Sequence, residues 1–170
     1  MNARRHEGKI LLQLNAIEAH LLHRILRVIL ENYKATPADL DPPTAEVWYS
    51  TRGCRSAKMS ADETREWLDA LHQVKRAHLR HLEDWAAALV QPKPSGHRLS
   101  LGLRDADVLL TALNDYRLLT AARHHVGENE MDLRTQREVA ELPPARRAAL
   151  MEIHLLAWVM EEVLAALAEG

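Results

Sequence analysis

Polar side chains that could form a site interrupt one strongly helical stretch of the sequence. Asn114 and Asp115 fall in the middle of an apolar pattern, and Arg117 and Arg123 follow them. Short polar side chains lower helix propensity because they compete for backbone hydrogen bonds, so a compensating contact is expected. Asp115 lies beside the apolar face, where a carboxylate needs a partner or a shifted pKa. We favour a hydrogen bond that positions neighbouring helices over a catalytic role.

Ten histidines raise the question of a metal site. His20 and His23 are three residues apart, as are His78 and His81, and this spacing puts two imidazoles on one face of a helix. A complete site needs further ligands from other helices, and the paired Glu-x-x-His pattern of di-iron bundles is missing. We therefore predict no metal and no cofactor. His78 stands in a predicted apolar stripe, so its protonation would affect a helix contact.

A positive cluster of Arg52, Arg55 and Lys58 surrounds Cys54, the only cysteine. Such charges can lower the pKa of a thiol, but no base for it is identifiable. The three cations are a candidate surface for an anion or an acidic partner, and a solvated loop is the simpler interpretation. The sequence also lacks a phosphate-binding Gly-rich loop, a nucleophile elbow and a His-Glu-x-x-His motif. These observations lean against an enzyme.

Composition restricts the class of protein. A formal charge of −2 and a pI near 6.5 make a nucleic-acid binder unlikely, because such domains are usually strongly basic. One cysteine cannot form an intramolecular disulfide, which favours a reducing compartment. No apolar run reaches the roughly eighteen residues that span a membrane. We expect a single cytoplasmic domain over residues 1–170.

Apolar periodicity predicts a mainly α fold, a bundle of about four main helices with a small two-stranded β ribbon. The predicted helices cover about 16–34, 61–90, 105–126 and 145–168, and the predicted strands about 9–14 and 98–103. An isolated strand leaves backbone groups unpaired, so the two strands should pair with each other, in a direction that the sequence leaves open.

Helix ends carry their own signals. Asn15 with Glu18, and Ser60 with Glu63, match capping boxes, Asp41-Pro42 begins a short helical turn, and Gly127 is expected to stop the central helix. The segment 91–96 is predicted as a break, and a short helix is predicted to start at Asp132. The predicted helix 61–90 has a heptad-like stripe, which consists of Trp67, Leu71, Val74, His78, Leu82, Trp85 and Leu89.

Three stretches resemble a known family. The run from Ala112 to Leu118, with Arg123 six residues after Arg117, is similar to the central signature of the bacterial domain-of-unknown-function family two thousand and seventeen. Residues 8–18 resemble its opening strand and helix, and residues 153–164 its closing helix. The resemblance covers roughly half the chain, and residues 48–60 and the long predicted helix after them depart from it. Because that family has no established activity, the resemblance implies a bacterial protein and a fold but no function.

Function is therefore predicted at the level of a class. The last helix is apolar on most sides, as in a helix shared between subunits, and Trp158 is a candidate surface residue on it. We expect a noncatalytic helical protein-interaction or regulatory module that self-associates. One alternative is a bundle that binds a small ligand or a metal at a polar site around Asp115, Arg117, Arg123 and His78. A weaker alternative is a nucleic-acid accessory protein.

Overall fold

A computed structural model describes residues 1–90, 96–131 and 139–169. The fold is mainly helical, as predicted, with a small antiparallel sheet. The strands are β1 (Asn2–His6), β2 (Lys9–Leu14) and β3 (His97–Gly102), and the helices are α1 (Ala16–Lys34), α2 (Pro42–Trp48), α3 (Arg52–Ser56), α4 (Ala61–Ala77), α5 (Leu79–Val90), α6 (Ala106–His124), α7 (Glu128–Met131) and α8 (Pro144–Ala168). Within the described residues, six helices have seven residues or more, so the predicted number of about four was too low.

The sheet has three strands in the order β1-β2-β3, and both pairings are antiparallel. The predicted two-stranded ribbon was therefore incomplete, although its two strands do pair, with Ile10 opposite Leu101 and Leu12 opposite Leu99. β1 was missed because it is polar and mostly exposed. It joins β2 through Glu7 and Gly8, which have φ values of 49° and 72°. Two consecutive positive φ values are the mark of a tight hairpin turn.

The outer edge of the sheet is covered by the last helix. The backbone N–H of Ala3 donates to a side-chain oxygen of Glu162 at 2.9 Å, and the amino group of Met1 lies 3.2 Å from Glu18. An uncovered edge strand exposes unpaired backbone groups to other chains. The contact with Glu162 thus protects β1 and places α8 against the sheet.

The predicted helix over residues 61–90 is broken at His78. The N–H of His78 donates to the carbonyl of Lys75, a tighter turn than the α-helical one, and α5 begins at the next residue. The predicted stripe is also wrong in α4, where Trp67 is 39% exposed and Val74 54% exposed. The side of α4 that faces the protein instead buries His72 and Lys75. Leu68 and Leu71, which are partly buried against the core, share this side of the helix, so the face combines apolar and polar residues.

The core is built from Leu, Ile and Val side chains of β2, β3, α1, α5, α6 and α8, with Tyr33 among its largest fully buried side chains. Asn15 and Ser60 form the predicted capping boxes with Glu18 and Glu63. Asp41 caps α2, also as predicted.

The stop predicted at Gly127 was wrong. His125, with a φ of 53°, takes the left-handed position that ends α6, and its N–H bonds to carbonyls of the last turn. Residues 91–95 of the break predicted at 91–96, and the start of the short helix predicted at Asp132, lie outside the described residues.

Candidate functional site

A buried ion pair joins α4 to α6. The ammonium of Lys75 contacts Oδ2 of Asp115, and the two side chains are only 6% and 16% exposed. The same carboxylate oxygen accepts a hydrogen bond from the hydroxyl of Tyr33 at 2.6 Å. Burying a charge is unfavourable unless it is paired and hydrogen-bonded. Both conditions are met here, so Asp115 has the partner that its place in the helix required.

Three aromatic rings surround the ammonium of Lys75, and we call Tyr33, Trp48 and Tyr49 the aromatic box. The Nζ atom lies 5.0 Å from the ring centre of Tyr33, 5.3 Å from that of Trp48 and 5.8 Å from that of Tyr49. Cations within about 6 Å of a ring centre are attracted by its negative face. The box therefore stabilises the same charge that Asp115 neutralises.

The box is attached to the backbone of α6. The indole N–H of Trp48 donates to the carbonyl oxygen of Asp115 at 2.8 Å, and the rings of Tyr33 and Trp48 meet edge-on with their centres 5.3 Å apart. Tyr33 ends α1, Trp48 ends α2 and Asp115 lies in mid-α6. Together with Lys75 from α4, four helices meet at this one aspartate.

The electrostatics of the box keep its phenols neutral. Burial, followed by the charge of Asp115, raises the pKa of Tyr33 far above its usual range. Burial and then the same carboxylate raise the pKa of Tyr49 to about 12. Neither tyrosine is therefore a source of negative charge near neutral pH, and Asp115 alone balances Lys75.

Three buried polar atoms close to the ion pair lack a hydrogen-bond partner within the described part of the chain. They are the hydroxyl of Tyr49, Nε2 of His72 and Nδ1 of His78. The rings of Tyr49 and His72 are 6.3 Å apart. Burial, then the positive charge of Lys75, lowers the pKa of His78, and the charge of Asp115 opposes the shift only in part. The surroundings of Lys75 thus hold more hydrogen-bonding capacity than the protein itself uses.

The other polar residues predicted on α6 lie apart from the ion pair. Asn114 is exposed. Arg117 donates to the sulfur of Met160 at 3.8 Å. Arg123 pairs with Asp41 at 2.5 Å, where it also donates to Thr44. The four predicted residues of α6 therefore serve different contacts and do not converge on one site.

The candidate interaction surface is also divided. Arg52 pairs with Glu46 at 2.9 Å, Arg55 donates to the hydroxyl of Thr51 at 3.0 Å, and Lys58 is exposed. Trp158 lies on α8, 40% exposed. Cys54, between the arginines, is buried at 4% exposure, which is the environment of an inert structural thiol.

Sequence reasoning found Asp115 but missed Lys75 and the aromatic box. A helical stripe that contains the missed lysine does exist, one residue away from the predicted one, and consists of Leu68, Leu71, Lys75, Leu79 and Leu82. A lysine in the middle of an apolar stripe is a signal of a buried cation, and this signal could have identified Lys75 as the partner of Asp115. The tyrosines and Trp48 carried no comparable signal, because aromatic residues are common in any core.

Neither a metal-binding cluster nor a membrane-spanning helix is present among the described residues. No group of three or more His, Cys, Asp or Glu side chains among them could hold a metal ion. Nor does any helix in the described ranges combine the length and apolar character needed to cross a membrane.

The fold and the site define a mainly helical protein with a three-stranded antiparallel sheet and a buried lysine–aspartate pair where four helices meet. The chain belongs to the family described as Domain of unknown function (DUF2017), whose family model matches residues 1–167. No curated protein and no solved structure matched it.

Proposed function

We propose that the chain is a noncatalytic helical interaction module that associates with a second copy of itself through the outer face of α8. One observation carries the proposal. Met151 and Trp158, which lie seven residues apart on α8, remain 63% and 40% exposed. Large apolar side chains that share an exposed face are typical of protein contact surfaces.

The spacing of these residues suits a helix-to-helix contact. Seven residues are close to two helical turns, so Met151, Trp158 and the small Ala165 form one line along α8. The opposite side of the helix is already occupied, because Ile153, Leu156 and other side chains pack into the two hydrophobic clusters. We call the line of Met151, Trp158 and Ala165 the α8 face.

The orientation of the α8 face is held by a polar contact next to it. Glu152, the neighbour of Met151, accepts a hydrogen bond from the hydroxyl of Tyr116 at 3.0 Å and pairs with Arg24 of α1. These contacts tie α8 to α6 and α1 and point its other side outward. Because α8 is already held in place, association costs little additional conformational entropy, and this favours binding.

Charges at the two ends of the α8 face complement each other in one arrangement. Arg147 lies one turn before Met151, and Glu161 lies about one turn after Trp158. In a two-fold symmetric dimer the same patch meets itself. Antiparallel pairing of two α8 helices would bring Met151 against Trp158 of the second copy. It would also place Arg147 of each copy near Glu161 of the other.

Within the part of the chain that the structure describes, two potentially reactive groups are buried or already paired, which supports the noncatalytic part of the proposal. The one cysteine is buried, and Asp115 is bound by Lys75 and Tyr33. Neither group is exposed to a substrate as a free nucleophile or base would be.

Sedimentation velocity over a wide range of protein concentration tests the proposal. We expect a monomer–dimer equilibrium for the native chain and a monomer for Trp158→Glu at the same concentrations. Leu164→Glu is the matched control, because Leu164 is 52% exposed on the same helix but lies about 120° from Trp158 and about 140° from Met151 around it at 100° per residue. It should dimerise as the native chain does.

Three results would contradict the proposal. They are a native chain that stays monomeric at the highest concentration, a folded Trp158→Glu variant that still dimerises, or equal loss of dimer in the two variants. Circular dichroism of each variant shows whether it is folded.

A further inference from the structure

We infer that the aromatic box, together with Asp115, is a binding site for a primary alkylammonium ion, and that Lys75 is its internal occupant. The inference is independent of the proposed self-association, because the residues of the box lie on α1, α2 and α6 and the proposed contact lies on α8.

The chemistry of the site matches an ammonium group. Three ring centres lie 5.0–5.8 Å from Nζ of Lys75, and ring faces attract cations most strongly where water is excluded. The carboxylate of Asp115 accepts a hydrogen bond from one ammonium proton. A quaternary ammonium has no such proton to donate, so the carboxylate favours a primary amine.

Further hydrogen-bonding groups near the site are unused. Tyr49 and His72 are 5% and 8% exposed, yet the hydroxyl of Tyr49 and Nε2 of His72 have no partner in the described residues. Buried polar side-chain atoms usually have a partner. Both groups can accept a hydrogen bond, and an ammonium ion has two N–H donors beyond the one that bonds to Asp115.

The site does not depend on Lys75 for its assembly. Tyr33 is held by its hydrogen bond to Asp115 at 2.6 Å, and Trp48 by its bond to the carbonyl of Asp115 at 2.8 Å. Lys75 comes from α4, in which only His72 and Lys75 are less than 9% exposed. Removal of the lysine side chain should therefore leave a preformed box with an unpaired carboxylate inside it.

The test supplies the missing side chain from solution. In the Lys75→Ala variant, n-propylammonium has the three carbons and the amine that were removed. We expect its chloride salt to raise the melting temperature by about 3–6 °C at tenfold its dissociation constant, as ligand linkage predicts for a chain of this length. Sodium chloride at equal concentration controls for ionic strength.

Two comparisons isolate the charge and the cavity. n-Propanol has a similar shape without the charge and should give little stabilisation. Lys75→Met fills the space that the lysine stem occupied, so n-propylammonium should not stabilise that variant. Adding Asp115→Asn to Lys75→Ala should weaken n-propylammonium binding at least tenfold in a direct calorimetric titration.

The inference is overturned if folded Lys75→Ala responds equally to n-propylammonium and n-propanol, or to neither. If Lys75→Ala is unfolded in buffer, the far-ultraviolet circular dichroism signal becomes the measurement. Recovery of the helical signal with n-propylammonium but not with n-propanol supports the site, and no recovery with either contradicts it.

Discussion

Replacing Asp115 with Asn should strongly destabilise the protein, because the change leaves the ammonium of Lys75 buried without a counter-charge. Asn keeps the size of the side chain and can still accept from Tyr33, so the lost quantity is mainly the charge. An unsatisfied hydrogen bond alone would lower the free energy of unfolding by about 1–3 kcal/mol. Exposures of 6% and 16% indicate a buried pair instead, for which loss of one partner costs about 3–5 kcal/mol.

Thermal and urea unfolding both measure this effect. At about 2–4 °C per kcal/mol for a chain of this size, the melting temperature should fall by about 6–20 °C. Asn114→Ala is the control on the same helix, since Asn114 is exposed and its replacement should change the free energy of unfolding by no more than about 0.5 kcal/mol.

A double-mutant cycle separates the pair from its surroundings. Lys75→Met alone removes the cation and leaves the carboxylate buried, so it should also be strongly destabilising. Lys75→Met combined with Asp115→Leu removes both charges, and such replacements are often close to neutral. Additive effects of Lys75→Met and Asp115→Leu, each measured alone and then together, or a loss below about 1 kcal/mol in Asp115→Asn, would refute the claim that the two charges depend on each other.

Two further predictions concern the residues around this pair. Burial and the charge of Lys75 lower the pKa of His78, so the folded state favours the neutral ring, and the free energy of unfolding should fall as the pH drops below the unfolded pKa of about 6.5. The free energy of unfolding of His78→Gln should fall less between pH 7 and pH 5. Equal pH dependence in the native chain and in His78→Gln would contradict the role of His78. Arg123 and Asp41 are 38% and 42% exposed, so Arg123→Ala should lower the free energy of unfolding by only about 0.2–1 kcal/mol in urea titrations, and a loss above about 2 kcal/mol would show that the pair behaves as a buried one.

Local signals in the sequence predicted the elements well where a single side chain determines the backbone. Asn15 and Ser60 bond to their own helices three residues later, so both helix starts were confirmed. The strand β1 escaped because its mostly exposed residues have no apolar alternation, and its place depends on a hairpin turn at Gly8 and on a contact with Glu162 far along the chain.

Of the ion pair at the candidate site, only the negatively charged residue, Asp115, was predictable from the sequence. Asp115 was conspicuous because a carboxylate interrupts an apolar pattern, but its partner is 40 residues earlier in a helix whose apolar stripe was assigned one residue out of phase. Pattern reading assumes that the buried face of a helix is apolar. In α4 the most buried residues are His72 and Lys75, beside Leu68 and Leu71, which are only partly buried, so the same assumption that located the other helices misplaced this one.

The polar face of α4 also bears on how this helix is positioned. Apolar packing tolerates sliding, since one leucine can replace another in a groove, whereas the ammonium of Lys75 has one carboxylate to reach. The break at His78 ends α4 at Ala77, two residues after Lys75, so the angle between α4 and α5 is not set by a continuous helix. The ion pair is then the contact that fixes α4 against α6. The double variant Lys75→Met/Asp115→Leu should consequently keep the free energy of unfolding of the native chain while α4 becomes more mobile. Faster amide hydrogen exchange in α4 alone would show this mobility.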